Sequence, residues 1–424
     1  MDVLFKNVKI FAPASAFHLQ TSNLLLKNGR IGYIGYDATD AEKVFDVPGL
    51  CVSGGWFDMH AQITDPGFEY KEDIVSAAQA AAAGGFTEIL CFANSEPLLQ
   101  TKNSLLSLKE QTRSLPVTFH PVGAATVNSE GKDLTEMLDL QRHGAVAFSD
   151  GESGIQQADV VLKALQYLQI TDMLLINRAE HVKLNERGQI HEGLVSTRLG
   201  LKGMPALAEE LHLTRDLELL EFNGGRLHVP FVSTARSVEK IREAKAKGLQ
   251  VTCGVATYQL AFTDETLIPF DTNYKVNPPF RSEADRKALI EGLQDGTVDI
   301  LVSGHTPQDV ENKKLEFDHA AFGITNLETA FAVACTYAKE LPLETVLEKM
   351  VVNPRKILNL PLPEIEEGAE ANLTFFQPEQ SWIYEEENIR SKSHNNPFIG
   401  QQLTGKVFGI VNKGQFILND PVNV

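Results

Sequence analysis

Residues 54–93, GGWFDMHAQITDPGFEYKEDIVSAAQAAAAGGFTEILCFA, carry the pattern that decides the fold. Residues 56–60 form a short apolar run holding Asp58 and His60, as expected of a strand buried on both faces. Residues 71–83 then read as an alanine-rich helix. Gly84-Gly85 stop that helix, and a second apolar strand, 87–93, follows at once. Strand, helix and strand in this order make one βα unit of a parallel sheet.

The same texture continues outward. Further strands are expected at 117–122, 145–150, 172–177, 226–232, 249–255 and 298–304. Helices are expected at 204–222, 235–247, 283–294, 326–339 and 343–351. Eight βα units in succession imply a parallel (β/α)8 TIM barrel over 54–365. The two ends read differently, as short alternating strands separated by turns. The Asn28-Gly29 pair is a hairpin signal. Neither end holds enough strands for a stable sheet alone, so 1–53 and 366–424 are expected to combine into one small β-sandwich domain.

Composition narrows the function. The 424 residues are 43% hydrophobic and 22% charged, which excludes a disordered chain. A net charge of −18 argues against a nucleic-acid surface or a polybasic membrane patch. No apolar run reaches the roughly 20 residues needed to cross a bilayer. The first residues lack a basic start ahead of a long apolar stretch, so no secretory signal is expected. Cys51, Cys91, Cys253 and Cys335 are widely spaced and form no CxxC pair, which suits free thiols in the cytoplasm.

A barrel places its chemistry at the C-terminal ends of the strands. At those ends stand Asp58, His60, Gln62, Asn94, His120, Asp150, Asn177, Arg178, Phe231, Tyr258, Gly304 and His305. The runs Asp58-Met59-His60-Ala61-Gln62 and Asp65-Pro66-Gly67-Phe68-Glu69-Tyr70-Lys71-Glu72-Asp73 resemble the opening signature of the dihydroorotases, metal-dependent amidohydrolases. The likeness continues in EGLVSTRLGLKGMPALAEE (192–210), KVNPPFRSEADRKALIEGLQDGTVD (275–299), AAFGITNLETA (320–330), NPRKIL (353–358) and SKSHNNPFIGQQLTGKV (391–407). It spans nearly the whole chain. The branch it is most similar to works in complexes with aspartate carbamoyltransferase in pyrimidine biosynthesis.

The resemblance implies a zinc centre, often a pair, that activates a water and polarises the scissile carbonyl. It also locates the positions that should hold the metal. His60 and Asp150 match the family's ligand types. Gln62 stands for the second histidine of the first strand, Arg178 for the histidine of the fifth, and Phe231 for that of the sixth. Gly304 stands where the eighth strand supplies the metal-binding general base. A guanidinium keeps its proton and cannot ligate a metal. The substrate grip is altered too. Thr64 replaces an arginine two residues before Pro-Gly and Gln308 replaces a histidine, while Asn94 and Asn277 remain. Losing the arginine removes the bidentate contact best matched to a carboxylate.

The resemblance therefore leads to a catalytically inactive member, with no catalytic residue, no bound metal or other cofactor, and a structural or regulatory role. Aspartate carbamoyltransferase is the partner the family suggests, and a homo-oligomer is expected. Two alternatives are an active dihydroorotase, interconverting dihydroorotate and N-carbamoyl-L-aspartate, and an amidohydrolase retuned to another substrate. Asp58 is expected to be structural, and His305 to fill the eighth-strand loop. His120, His181 and His228 show no partner pattern. An unpaired carboxylate in a barrel mouth is costly, so Arg178 is expected to occupy the vacated metal position and pair with Asp150.

Overall fold

The computed structural model describes residues 2–37, 40–92 and 95–419. Eight parallel strands form the barrel: β1 (Trp56–Ala61), β2 (Phe86–Cys91), β3 (Thr118–Gly123), β4 (Ala147–Phe148), β5 (Leu174–Ile176), β6 (Leu227–Val229), β7 (Val251–Ala256) and β8 (Ile300–Val302). They pair in sequence order from β1 to β8. The ring closes just past β8, where Ala61 bridges His305 and the Gln62 N–H donates to the His305 carbonyl at 2.9 Å.

Side-chain alternation explains why these runs are apolar throughout. Phe57, Met59, Leu90, Phe92, Val122, Ile176, Ile300 and Val302 fill the inside of the barrel. Trp56, Phe86, Ile89, Leu175, Val229, Val251 and Leu301 face the surrounding helices. The first of those helices, Ile74–Ala83, begins where the Asp73 carboxylate accepts from the Ser76 N–H at 2.8 Å, and Ser76 Oγ accepts in return from the Asp73 N–H. Its buried alanines allow close approach to the sheet.

The two ends of the chain share a second, mixed sheet. Strands Leu373–Ile383 and Gln402–Asn412 join Cys51–Gly54, which joins Asp2–Phe11 and then the hairpin Thr21–Lys27 and Arg30–Gly35. Asn28 (φ 49°) and Gly29 (φ 75°) make the tight turn of that hairpin. Phe5 from one end and Phe375 from the other stack at 4.0 Å between centroids, with Phe45, Phe408 and Phe416 around them.

Several elements are shorter than expected. The strand expected at 145–150 is only Ala147–Phe148, because Ser149 and Asp150 turn away into the loop that follows. Residues 190–204 add a two-stranded ribbon, Ile190–His191 with Gly203–Met204, ahead of the long helix Ala206–Asn223. No helix among the described residues is long and apolar enough to cross a membrane.

Candidate functional site

Asp58, at the middle of β1, is fully buried and accepts from the Ser303 N–H at 2.8 Å and from the Ser303 hydroxyl. Burial pushes its carboxyl above the ordinary range, and the Ser303 bonds act against that shift. Asp58 thus ties β1 to the residue after β8, a role in barrel closure. His60, two residues on, is also buried. Its ring lies 4.6 Å from that of Phe92 and 4.1 Å from that of Phe231. Neither ring nitrogen completes a hydrogen bond, and Nε2 stands 3.5 Å from Glu152 Oε1. Gln62 points the same way, its Nε2 donating to Glu152 Oε1 at 2.6 Å.

Glu152 is the hub of the mouth, and sequence reasoning missed it. It sits on the single turn Gly151–Ser153 after β4, which brings its carboxylate to Gln62, His60 and Arg178. Arg178 donates to its other oxygen, Oε2. The same guanidinium donates to the Asn277 carbonyl at 2.7 Å and lies 3.4 Å from Glu180. Burial opposes ionisation of Glu152, but Arg178 and His60 hold its pKa down at about 2.

The pairing expected between Arg178 and Asp150 is therefore corrected. Asp150 accepts from the Thr126 N–H at 2.8 Å and the Thr126 hydroxyl at 2.5 Å, so its carboxylate is already satisfied beside β3. A charged Arg178, 4% exposed, needs a carboxylate, and it meets Glu152, with Glu180 3.4 Å away. The legible signal was there: an acid four residues past the end of β4, facing an arginine two residues past the end of β5.

The remaining positions are filled by packing. Phe231 covers the edge of His60. Gly304 has φ 64°, and a Cβ there would lie 2.8 Å from the Tyr258 hydroxyl and 2.9 Å from Ala256 Cβ. The buried Tyr258 phenol thus occupies the space an eighth-strand side chain would take. Thr64 donates to the Phe68 and Glu72 carbonyls, at 3.1 and 3.0 Å, and shapes the loop before the first helix. Gln308 donates to the Phe322 carbonyl at 2.9 Å. Asn277 donates to both oxygens of Glu180, at 3.1 and 3.2 Å. Asn94 lies outside the described residues.

His305 is fully buried. Its Nδ1 accepts from the Asn326 N–H at 3.1 Å, which leaves the proton on Nε2, 3.2 Å from Glu72. The cleft between Arg178, Glu180, Phe231, Asn277 and Arg281 encloses only about 10 Å³, room for one water.

These residues do not fit a zinc pair. A zinc site needs three or four imidazole, thiolate or carboxylate ligands. Of the six strand-end positions only His60 and Asp150 qualify, and Asp150 is turned onto Thr126. Among the described residues, no three His, Cys, Asp or Glu side chains converge on one point. What the mouth does present is a set of hydrogen-bond donors around a carboxylate.

Comparison with known proteins places this mouth in context. Residues 49–237 match the family model described as dihydro-orotase-like. A dihydroorotase of Syntrophus aciditrophicus is 39% identical over 99% of this chain and 100% of its own length. The chain belongs to the dihydroorotase family. A second member, the dihydroorotase of Pelotomaculum thermopropionicum, is 38% identical over the full length of both chains. The fold extends to more distant proteins: the L-hydantoinase of Arthrobacter aurescens superposes with a TM-score of 0.85 at 24% identity, covering 98% of this chain and 96% of its own. In this family member, the catalytic end of the barrel is built around Glu152 and Arg178.

Proposed function

We propose that this chain is a non-catalytic member of the dihydroorotase family, serving pyrimidine biosynthesis as a structural or regulatory partner of aspartate carbamoyltransferase. The observation that carries the loss of catalysis is the ion pair at the barrel mouth: Arg178 and Glu152 neutralise each other where the family needs a cation between imidazoles and carboxylates. The Tyr258 hydroxyl beside Gly304 leaves no room for a general base on the eighth strand. The framework around them is intact, and an intact barrel is what a partner subunit needs. Four free thiols suit a cytoplasmic setting, and a homo-oligomer is the expected state.

Two measurements test this reading. Protein purified without chelators and resupplied with zinc should hold less than about 0.1 metal per chain by elemental analysis, and should interconvert dihydroorotate and N-carbamoyl-L-aspartate no faster than buffer. One or two tightly held metals with turnover would overturn it. The partner role is tested by co-elution with aspartate carbamoyltransferase at micromolar concentration. Separate elution at every salt concentration would remove that part of the proposal.

A further inference from the structure

At the barrel mouth several donors converge on the Glu152 carboxylate, with the Glu180 carboxylate and the Asn277 carbonyl also beside Arg178. Gln62 Nε2 and the Arg178 guanidinium converge on a single carboxylate, with the His60 ring 3.5 Å away and both its nitrogens unpartnered. That carboxylate belongs to a side chain 40% exposed, on a short turn set between Gly151 (φ 66°) and Gly154 (φ 57°). His60 and Arg178, by contrast, are 4% and 5% exposed at their side chains and belong to barrel strand ends. The receptor is rigid and buried, while its occupant hangs from a loop.

We infer that the former metal position has become a binding site for a small carboxylate, occupied in this structure by the chain's own Glu152. The inference rests on the reading above that the metal site is lost, and deepens it: the site has changed sign, from one that takes a cation to one that takes an anion. A guanidinium and a carboxamide N–H hold a planar carboxylate with charge-assisted bonds. His60 Nε2, 3.5 Å from Glu152 Oε1, stands within ion-pair reach of the same carboxylate. The space Glu152 fills sets the size of a replacement, at acetate or propionate. Tethering gives Glu152 an effective concentration on the order of millimolar or higher, so it excludes weak external ligands from the wild-type mouth. The Glu180 carboxylate, 3.4 Å from Arg178 Nε, belongs to the same surroundings and limits the affinity for any anion.

The test is chemical rescue. Glu152→Gly empties the slot and leaves His60, Gln62 and Arg178 in place. Acetate at 100 mM, against chloride at matched ionic strength, should raise the melting temperature of this variant by at least about 2 °C. Acetate should bind it at least tenfold more tightly than it binds wild type by calorimetry. Adding Arg178→Met should abolish both effects. Equal melting of Glu152→Gly in acetate and chloride, with no heat of binding, would overturn the inference.

Should that variant not stay folded, refolding yield in acetate against chloride reads the same site, with Glu152→Ser as the second variant. Equal yields would again overturn it. Zinc added to wild type separates the two readings. A stoichiometric zinc bound at the mouth would overturn both, whereas no zinc and no acetate effect would overturn this inference alone.

Discussion

The barrel holds a glutamate–arginine pair at each end, and the two are built differently. At the C-terminal mouth, Glu152 meets Arg178, with His60 and Gln62 beside them. Near the N-terminal ends of the strands, Glu88 on β2 accepts from Arg355 at 2.5 Å and from Asn372 at 2.9 Å, and its other oxygen lies 2.6 Å from His120 on β3. Burial opposes ionisation of both glutamates, yet their partners hold each pKa at about 2. They differ in enclosure. The side chains of Glu88 and Arg355 are 11% and 1% exposed, whereas that of Glu152 is 40% exposed. Arg355 also caps the Val351 carbonyl and lies over the Phe57 ring. The lower pair joins the strands, the C-terminal helix and the approach to the terminal sheet. The upper pair closes a mouth.

This contrast predicts that the same substitution has unequal effects. Arg355→Met should cost about 3–5 kcal/mol in urea denaturation, because it strands a buried carboxylate. Arg178→Met should cost less, about 1–2 kcal/mol, since Glu152 can turn to water. Equal losses at the two ends would break the comparison, and would mean that the Glu152 turn is as fixed as the β2 strand.

A second effect falls between these. An aspartate introduced at Gly304 forces a side chain against the Tyr258 hydroxyl, on a backbone at φ 64°. Gly304→Asp should therefore cost about 2–4 kcal/mol and restore no turnover. Paired with Tyr258→Ala, the penalty should depart from additivity by about 1 kcal/mol or more. Additive losses would show that Tyr258 is a bystander and not the occupant of the lost position.

The barrel was legible because eight apolar runs alternate with helix stops such as Gly84-Gly85, a pattern set by local geometry. The terminal hairpin was legible because Asn28-Gly29 states its own turn. The positions where the resemblance calls for metal ligands could be named through the motifs that flank them. The replacements could not, because they come from residues those motifs do not mark. Glu152 lies on a turn past β4, while Asp150 just before it is held by Thr126 from the loop after β3. Tyr258, just past β7, reaches Gly304, just past the neighbouring β8. His120 showed no partner pattern in the sequence, since Glu88 and Arg355 stand 32 and 235 positions from it; pairing of β2 with β3 and the packing of the Arg355 helix bring them together.

The smallest effect is the pH dependence of the lower pair. Glu88 has a folded pKa of about 2 against an ordinary value of 4.5. The unfolded chain therefore binds more protons between those values, and stability falls as the pH falls. The contribution is fully present above about pH 4.5 and is lost progressively towards pH 2. Glu88→Gln removes this titration, so the stability gap between wild type and variant should narrow steadily from pH 5 to pH 3 in urea denaturation. Glu152→Gln should narrow in the same direction but by less, because solvent screens the more exposed pair. A gap at position 88 that stays constant across this window would mean that Glu88 is held by packing and neutral hydrogen bonds, and that charge pairing does not distinguish the two ends of the barrel.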